Sequence, residues 1–326
     1  MAVKRNPTAT IGAAFIALMT LVALLGPVIR PDPTPNANTQ QLSISRQKPG
    51  FQVNVIQLTY ADGRTESIPI DSVDTASPNL RILPFGDDRW MEPEAAQSFS
   101  VERKRFWLGT DTYGRDFLSR LMAGSAISLS VGFVAVLISL LIGVVLGALS
   151  GYFGGWMDAV ISWFINVVWS IPTLLMVIAI TLAFGKGFWQ VFVAIGLTMW
   201  VEVARIVRGQ FLSLREKEYV EAAKALGYSH FRIIRRHIMP NAIGPVIVIC
   251  AANFASAILI EAGLSFLGLG AQIPVPSWGN MIKEHYPLVT TDLAYLALLP
   301  GFLIMALVLS FMLIGNGLRD RLDVRR

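Results

Sequence analysis

Apolar residues in this chain come in long runs separated by polar intervals, the pattern of helices set in a bilayer. An α-helix rises about 1.5 Å per residue, so about 20 consecutive apolar residues cross the hydrocarbon core. Six runs meet or approach that length: residues 11–29, 126–149, 160–184, 188–207, 242–269 and 293–314. Glu202 and Arg205 enter the last turns of the fourth and, being i and i+3, can pair with each other. Arg205 and Arg208 can also reach the headgroups along their aliphatic stems. The first run follows Lys4 and Arg5 as a signal peptide would. It is longer than the about 7–15 apolar residues of a signal core, and "GPVIRPDPTPN" has no A-x-A-like cleavage site, so a retained span is predicted.

Two intervals break the pattern. Residues 30–125 open on "DPTPNANTQQ", with the proline and polar content of a linker. Farther on, "FQVNVIQLTYADGRTESIPI" alternates on both sides of Asp62-Gly63, a dipeptide suited to a tight turn, and predicts a small β-hairpin over 51–70. The second interval carries "EYVEAAKALGYSHFRIIRRHIMPN" over 218–241. A helical wheel puts Tyr219, Ala222, Ala223 and Leu226 within one arc of about 100°, with Glu221 and Lys224 opposite. Gly227 is placed as a C-cap and Ser229 as the cap of a second helix. That helix sets Phe231, Ile233, Ile234 and Ile238 against Arg232, Arg235 and Arg236. Pro240 is suited to begin the next helix, whose first N–H has no partner within it. The resulting elbow could rest on anionic lipid, bind nucleic acid or dock into a groove of another protein. The nucleic-acid reading is the weakest, because only the second half is basic.

Composition agrees with a membrane protein: of 326 residues, 54% are hydrophobic and 15% charged. The net charge of +5 matters by location, since Lys and Arg in short loops mark the cytoplasmic side. With the N-terminus inside, that side holds Lys4, Arg5, eight basic residues from Arg205 to Arg236, and Arg319, Arg321, Arg325 and Arg326. The short outside loops hold only Lys186 and Lys283. Both termini and the elbow are therefore expected inside. Cys250 is the single cysteine, so no intrachain disulfide forms, and three scattered histidines give no metal site.

No phosphate loop, dinucleotide fingerprint, H-E-x-x-H or G-x-S-x-G is present, which excludes the commonest enzyme readings. Small residues recur every fourth position in the second run, at Ala135, Ser139, Gly143, Gly147 and Gly151. Such a ladder admits a close helix, from this chain or from another subunit. Glu261 is the only acid well inside an apolar run, where a charge costs about 2.5–3.5 kcal/mol on insertion scales. It faces either a cavity or the outer headgroups. Asn253, two turns earlier, can share its face or serve as a packing amide.

Three stretches then resemble one family, the C-type permease subunits of bacterial ABC importers for peptides and nickel. The elbow reads Glu221-Ala222-Ala223, then Gly227, then His237-Ile238-Met239-Pro240-Asn241, close to the family's E-A-A signature and its H-I-L-P-N ending. "LGTDTYGRDFLSRLMAG", with Gly109, Thr110, Asp111, Gly114, Arg115 and Asp116, resembles the segment that precedes the second span. "EAGLSFLGLGAQIPVPSWG" resembles a third family segment. The departure is residues 51–106, which look like an insertion.

The resemblance implies a type I ABC importer permease fold: an all-α polytopic membrane protein with six transmembrane helices and a cytoplasmic coupling helix between the fourth and fifth. The expected divisions are 1–30, N-terminus and first span; 31–124, outside loop with hairpin; 125–318, a five-helix core including the coupling helix at 218–240; and 319–326, a cytoplasmic tail. Tyr219, Glu221, Ala222, Ala223, Lys224, Gly227, Arg232 and Pro240 would couple to an ATPase, and Asn253 and Glu261 would lie on the translocation pathway. No cofactor is expected on this chain, ATP and Mg being bound by partner subunits. The implied partners are a second, B-type permease, two ATP-binding cassette subunits, an extracytoplasmic binding protein and membrane lipid, without nucleic acid. The implied location is the bacterial inner membrane. The alternative is an autonomous channel or ion-driven carrier whose elbow rests on lipid.

Overall fold

The computed structural model describes residues 7–322 except 76–79, 95, 186 and 273. Lys4, Arg5, Lys186, Arg325 and Arg326, used in the charge count, lie outside the described residues. Among the described residues, five helices are long and apolar enough to cross a membrane, or six if one bent pair counts as a single span.

The first of them is α1 (Pro7–Ile29) and the second α2 (Phe117–Phe153). The start of α2 lies nine residues before the apolar run, within the segment expected to precede that span. Capping sets that start: the Asp116 carboxylate accepts the Ser119 N–H at 2.7 Å. After Gly154, at φ +67°, the third apolar run forms not one straight helix but α3 (Gly155–Trp169) and α4 (Thr173–Phe184), bent by 90°. Pro172 stands at the break; it has no N–H to donate and its ring clashes with a helical turn before it.

Helix α5 (Phe188–Leu214) lies along α2. A Cβ added to Gly143, Gly147 or Gly151 would come within 2.6 Å of Val203, 2.5 Å of Ala204 or 2.6 Å of Phe211. The small-residue ladder is thus filled by a helix of the same chain, where backbones approach closely because no side chain keeps them apart.

The elbow follows as α6 (Glu218–Ala225) and α7 (His230–Ile233). Gly227 joins them at φ +73°, a left-handed value glycine adopts freely. Ser229 caps α7 by accepting the Arg232 N–H. No new helix starts at Pro240. The chain continues through a π-turn (Ile234–Ile238) into α8 (Met239–Phe266), one continuous 37-residue element. The wider turn receives the ring of Pro240 and its missing N–H, so the helix goes on instead of restarting. The short helix α9 (Trp278–His285) and the last span α10 (Tyr295–Leu322) complete the bundle.

The insertion is larger than a hairpin. Strands β1 (Phe51–Thr59), β2 (Thr65–Asp74), β3 (Arg81–Pro84) and β4 (Ser98–Phe106) form an antiparallel sheet in the order β3-β2-β1-β4. Register runs from Asn54 opposite Ile70 to Thr59 opposite Thr65, around a turn holding Gly63 at φ +83°. Strand β4 pairs along the whole of β1, from Phe51–Phe106 to Thr59–Ser98. Ile56, Leu58, Ile70 and Ile82 form the core of the sheet.

Candidate functional site

The residues of interest gather in three places: the elbow, the opposite end of α2, and the spans between them. Some 37 residues of α2 separate the two ends, a rise of about 55 Å.

At the elbow, Val220 and Ala223 turn inward with Ile233 and Ile238. They bury against Val203, Val207 and Phe211 of α5 and against Ala148 and Tyr152 of α2. Tyr219, Ala222 and Leu226 turn outward. The wheel's single arc is therefore split. Ala223 belongs to the anchoring face, because α6 packs on the helices behind it through the i, i+3 pair Val220–Ala223. Phe231 is corrected in the same way: it is 70% exposed, beside Leu226 at 71%, and not on the buried side with Ile233. Glu221, Lys224, Arg232 and Pro240 are exposed as well.

The anchor is reinforced by polar contacts. Tyr152 Oη lies 2.8 Å from His230 Nδ1, and Asn241 Nδ2 donates to the His237 carbonyl at 2.7 Å and to Tyr219 Oη at 3.4 Å. Arg232 lies over the Tyr228 ring at 5.1 Å. Phe231, Arg232, Arg235, Arg236 and Pro240 line a shallow basic hollow. The result is a rigid, outward-facing surface of mixed apolar and charged groups, suited to seating a protein.

At the far end of α2 the second motif is bound mainly to its own chain, although Asp116 Oδ2 and Arg120 Nε and Nη1 have no hydrogen-bond partner among the described residues. Arg115, 1% exposed, donates through Nε to Asp111 at 2.5 Å and through Nη2 to Glu284 at 2.6 Å. Arg120 stands 3.6 Å from Asp111 and 3.9 Å from Glu284. Thr110 Oγ1 donates to the Ile44 carbonyl at 2.5 Å, and Ser119 Oγ accepts the Asp32 N–H at 2.9 Å. Gly109 and Gly114 both hold positive φ, and a Cβ on either would fall 2.1 Å from the Gln47 carbonyl or 1.8 Å from that of Gln41. Burial raises the pKa of Asp116 above the ordinary carboxylate value, against the lowering bonds from Ser119. Burial likewise lowers that of His285, whose Nδ1 lies 2.7 Å from the Met281 carbonyl. Donor atoms of Asp111, Glu284 and His285 lie within 4.8 Å of one another, but the two guanidinium groups already neutralise these carboxylates. A dication there would stand against two fixed cations.

The third motif binds to the same end. Ser277 caps α9, and Trp278 Nε1 donates to the Leu121 carbonyl at 3.0 Å. Glu261, 2% exposed, accepts a hydrogen bond from Ser265 at 2.5 Å, and Asn253 is 1% exposed with no partner for its amide among the described residues.

Within the spans, Glu202 and Arg205 do not pair. Arg205 lies over the Trp169 ring at 3.9 Å, and Arg208, instead of reaching for headgroups, binds Asp158 at 2.6 and 2.8 Å. A cavity of about 310 Å³ opens between the broken helix, α5 and α8, lined among others by Trp169, Thr173, Thr198, Glu202 and Ser256. Neither Asn253 nor Glu261 lines it. The pairs Arg115–Glu284 and Arg208–Asp158, 169 and 50 residues apart, escape sequence reading. An acid in the first turn after a glycine break was the one visible sign of Asp158.

Known proteins agree with this architecture. Residues 143–326 match the family model of the binding-protein-dependent transport system inner membrane component. Residues 2–49 match that of the N-terminal transmembrane domain of oligopeptide transport permease C. The chain is 43% identical over 217 residues to the dipeptide transport system permease protein DppC of Alkalihalophilus pseudofirmus, covering 67% of this chain and 71% of that one. It is 43% identical over 248 residues to the oligopeptide transport system permease protein OppC of Escherichia coli, covering 76% and 80%. An inward-facing structure of the MetNI methionine ABC transporter aligns with a TM-score of 0.52 at 19% identity, over 64% of this chain and 98% of that chain, a likeness of fold alone. With more than half its length matched by that family model and its N-terminal segment by the second, the chain belongs to the inner-membrane components of binding-protein-dependent ABC transport systems, in the branch of the C-type oligopeptide permease.

Proposed function

We propose that this chain is one of two permeases in an ATP-driven importer that takes peptides or peptide-like solutes from an extracytoplasmic binding protein. The elbow, α6 with Gly227 and α7, is its coupling element, seated in a cleft of an ATP-hydrolysing subunit. Both termini and the elbow lie in the cytoplasm, the sheet and α9 lie outside, and α3 with α4 counts as one broken span of six. ATP and Mg reside on partner subunits, and a B-type permease supplies the other half of the path.

The carrying observation is the division of the elbow into two faces. Val220, Ala223, Ile233 and Ile238 fix it from behind, while Tyr219, Ala222, Leu226 and Phe231 remain uncovered beside Glu221, Lys224 and Arg232. An elbow lying on lipid would gain nothing from such a rigid backing. Glu261 and Asn253 act at the outer end of the path through packing: the carboxylate braces α8 beneath α9 and works as a gate element.

The test compares the purified chain, expected to hydrolyse no ATP, with the complete complex in proteoliposomes. Glu221→Arg and Gly227→Leu are expected to insert normally and to separate ATPase activity from uptake. Normal peptide uptake by both variants, or flux through vesicles holding only this chain, would sink the reading.

A further inference from the structure

Glu202 stands apart from every other charged side chain in the spans. Asp158 has Arg208, Arg205 has the Trp169 ring, and Glu261 is enclosed with Ser265. Glu202 has no ion-pair partner among the described residues, and its carboxylate is exposed on the wall of the cavity between the broken helix, α5 and α8. Among the described residues it is the only charged group lining that cavity.

Position along the helices puts the cavity within the spans. Fourteen residues separate Phe188 from Glu202, a rise of about 21 Å, and five separate Glu202 from Val207, where the apolar run ends, a rise of about 8 Å. Ser256 on the opposite wall is 17 residues from the start of α8, a rise of about 25 Å. An anionic side chain held at such depth is costly, and those that persist mark ion or substrate sites. Around it stand Thr173, Thr198 and Ser256, whose hydroxyls can accept N–H bonds, and Trp169, one face of whose ring is already taken by Arg205 at 3.9 Å. The break at Pro172 opens the space, by turning α4 away from α3.

We infer that Glu202 and the cavity it lines form a cation site that takes the ammonium group of the translocated solute. That this solute is a peptide, bearing a free α-amine or a basic side chain, rests on the importer reading above. Acidic and N-blocked solutes would be disfavoured by the same carboxylate, so Glu202 is a specificity-determining residue. The surface of the elbow is not involved.

Two measurements on the complete complex decide this. First, in a C250S background, S256C becomes the sole cysteine of this chain and, with C250S alone as the control for the other subunits, reports the cavity's potential through its reaction with a cationic and an anionic methanethiosulfonate. The ratio of the two rates, cationic over anionic, is expected to fall about tenfold when E202Q is added, since clefts focus the field of a charge they contain. An unchanged ratio overturns the site whatever the transporter carries. Second, E202Q is expected to lower trialanine uptake about tenfold while N-acetyl-trialanine uptake and trialanine affinity of the binding protein stay constant. Equal loss for both peptides, or loss for neither, overturns amine recognition. A wild-type complex that imports no peptide refutes the importer reading alone, and the cysteine measurement still decides the cation site.

Discussion

The two ends of the bundle carry family motifs of similar length and treat them in opposite ways. At the α9 end, Asp111, Arg115 and Arg120 are buried and paired with each other and with the half-buried Glu284, and Gly109 and Gly114 are locked against neighbouring carbonyls. At the elbow, Ala223 and Ile238 anchor the motif while Glu221, Ala222, Lys224 and Pro240 are exposed, and Gly227 has nothing within 4 Å of where a Cβ would sit. A motif is thus no guide to what it touches. One end is built to close on itself, the other to be closed by something else.

Arg115→Ala should break the contrast most severely. Removing Arg115 takes away the closest partner of both Asp111 and Glu284 and leaves them only Arg120, at 3.6 and 3.9 Å; breaking a buried pair costs about 3–5 kcal/mol, and thermal melts in detergent should show a large loss of folded protein. Next, the glycines can be compared directly. Both Gly114 and Gly227 hold φ near +72°, so alanine strains either by about 1–2 kcal/mol, but only at Gly114 does it also strike a backbone carbonyl at 1.8 Å. Gly114→Ala should lower the melting temperature well beyond Gly227→Ala; equal shifts would mean the outer loop moves freely. Leu226→Ser with Phe231→Ser should leave melting nearly unchanged while reducing uptake per ATP hydrolysed, and a stability loss instead would show that this face packs on its own chain.

The smallest effect concerns pH. Burial lowers the pKa of His285 from its ordinary 6.5, so the unfolded chain binds the proton more readily and stability falls as pH drops below 6.5. His285→Gln should flatten part of that slope between pH 6.5 and 5, in melts followed at the outer end. An identical slope would remove His285 from the account.

How much of this was readable in advance follows from the range of each interaction. The spans were legible because hydropathy is local, and so was the turn at Asp62-Gly63. The break at Pro172 was also local, and the proline stood in view inside an apolar run that hydropathy alone does not divide. Strand β4 hid behind "VERKR", because an exposed edge strand needs no alternation. On an eight-residue helix, the wheel could not decide between Tyr219–Ala222 and Val220–Ala223 as the buried pair; the walls of α2 and α5 decided it. The clasp joins Arg115 to Glu284 across 169 residues, and no periodicity reports that.

The unbroken run from His230 to Phe266 has a mechanical consequence. One rod begins in the elbow, passes Ser256, Leu259 and Ile260 on the cavity wall, and reaches Glu261 under α9. It is about 55 Å long, so tilting it by about 5° around its middle displaces each end by about 2.4 Å in opposite senses. A shove at the base therefore arrives at the roof as a swing of reversed direction, with the π-turn and Pro245 the points along the shaft where bending could absorb it.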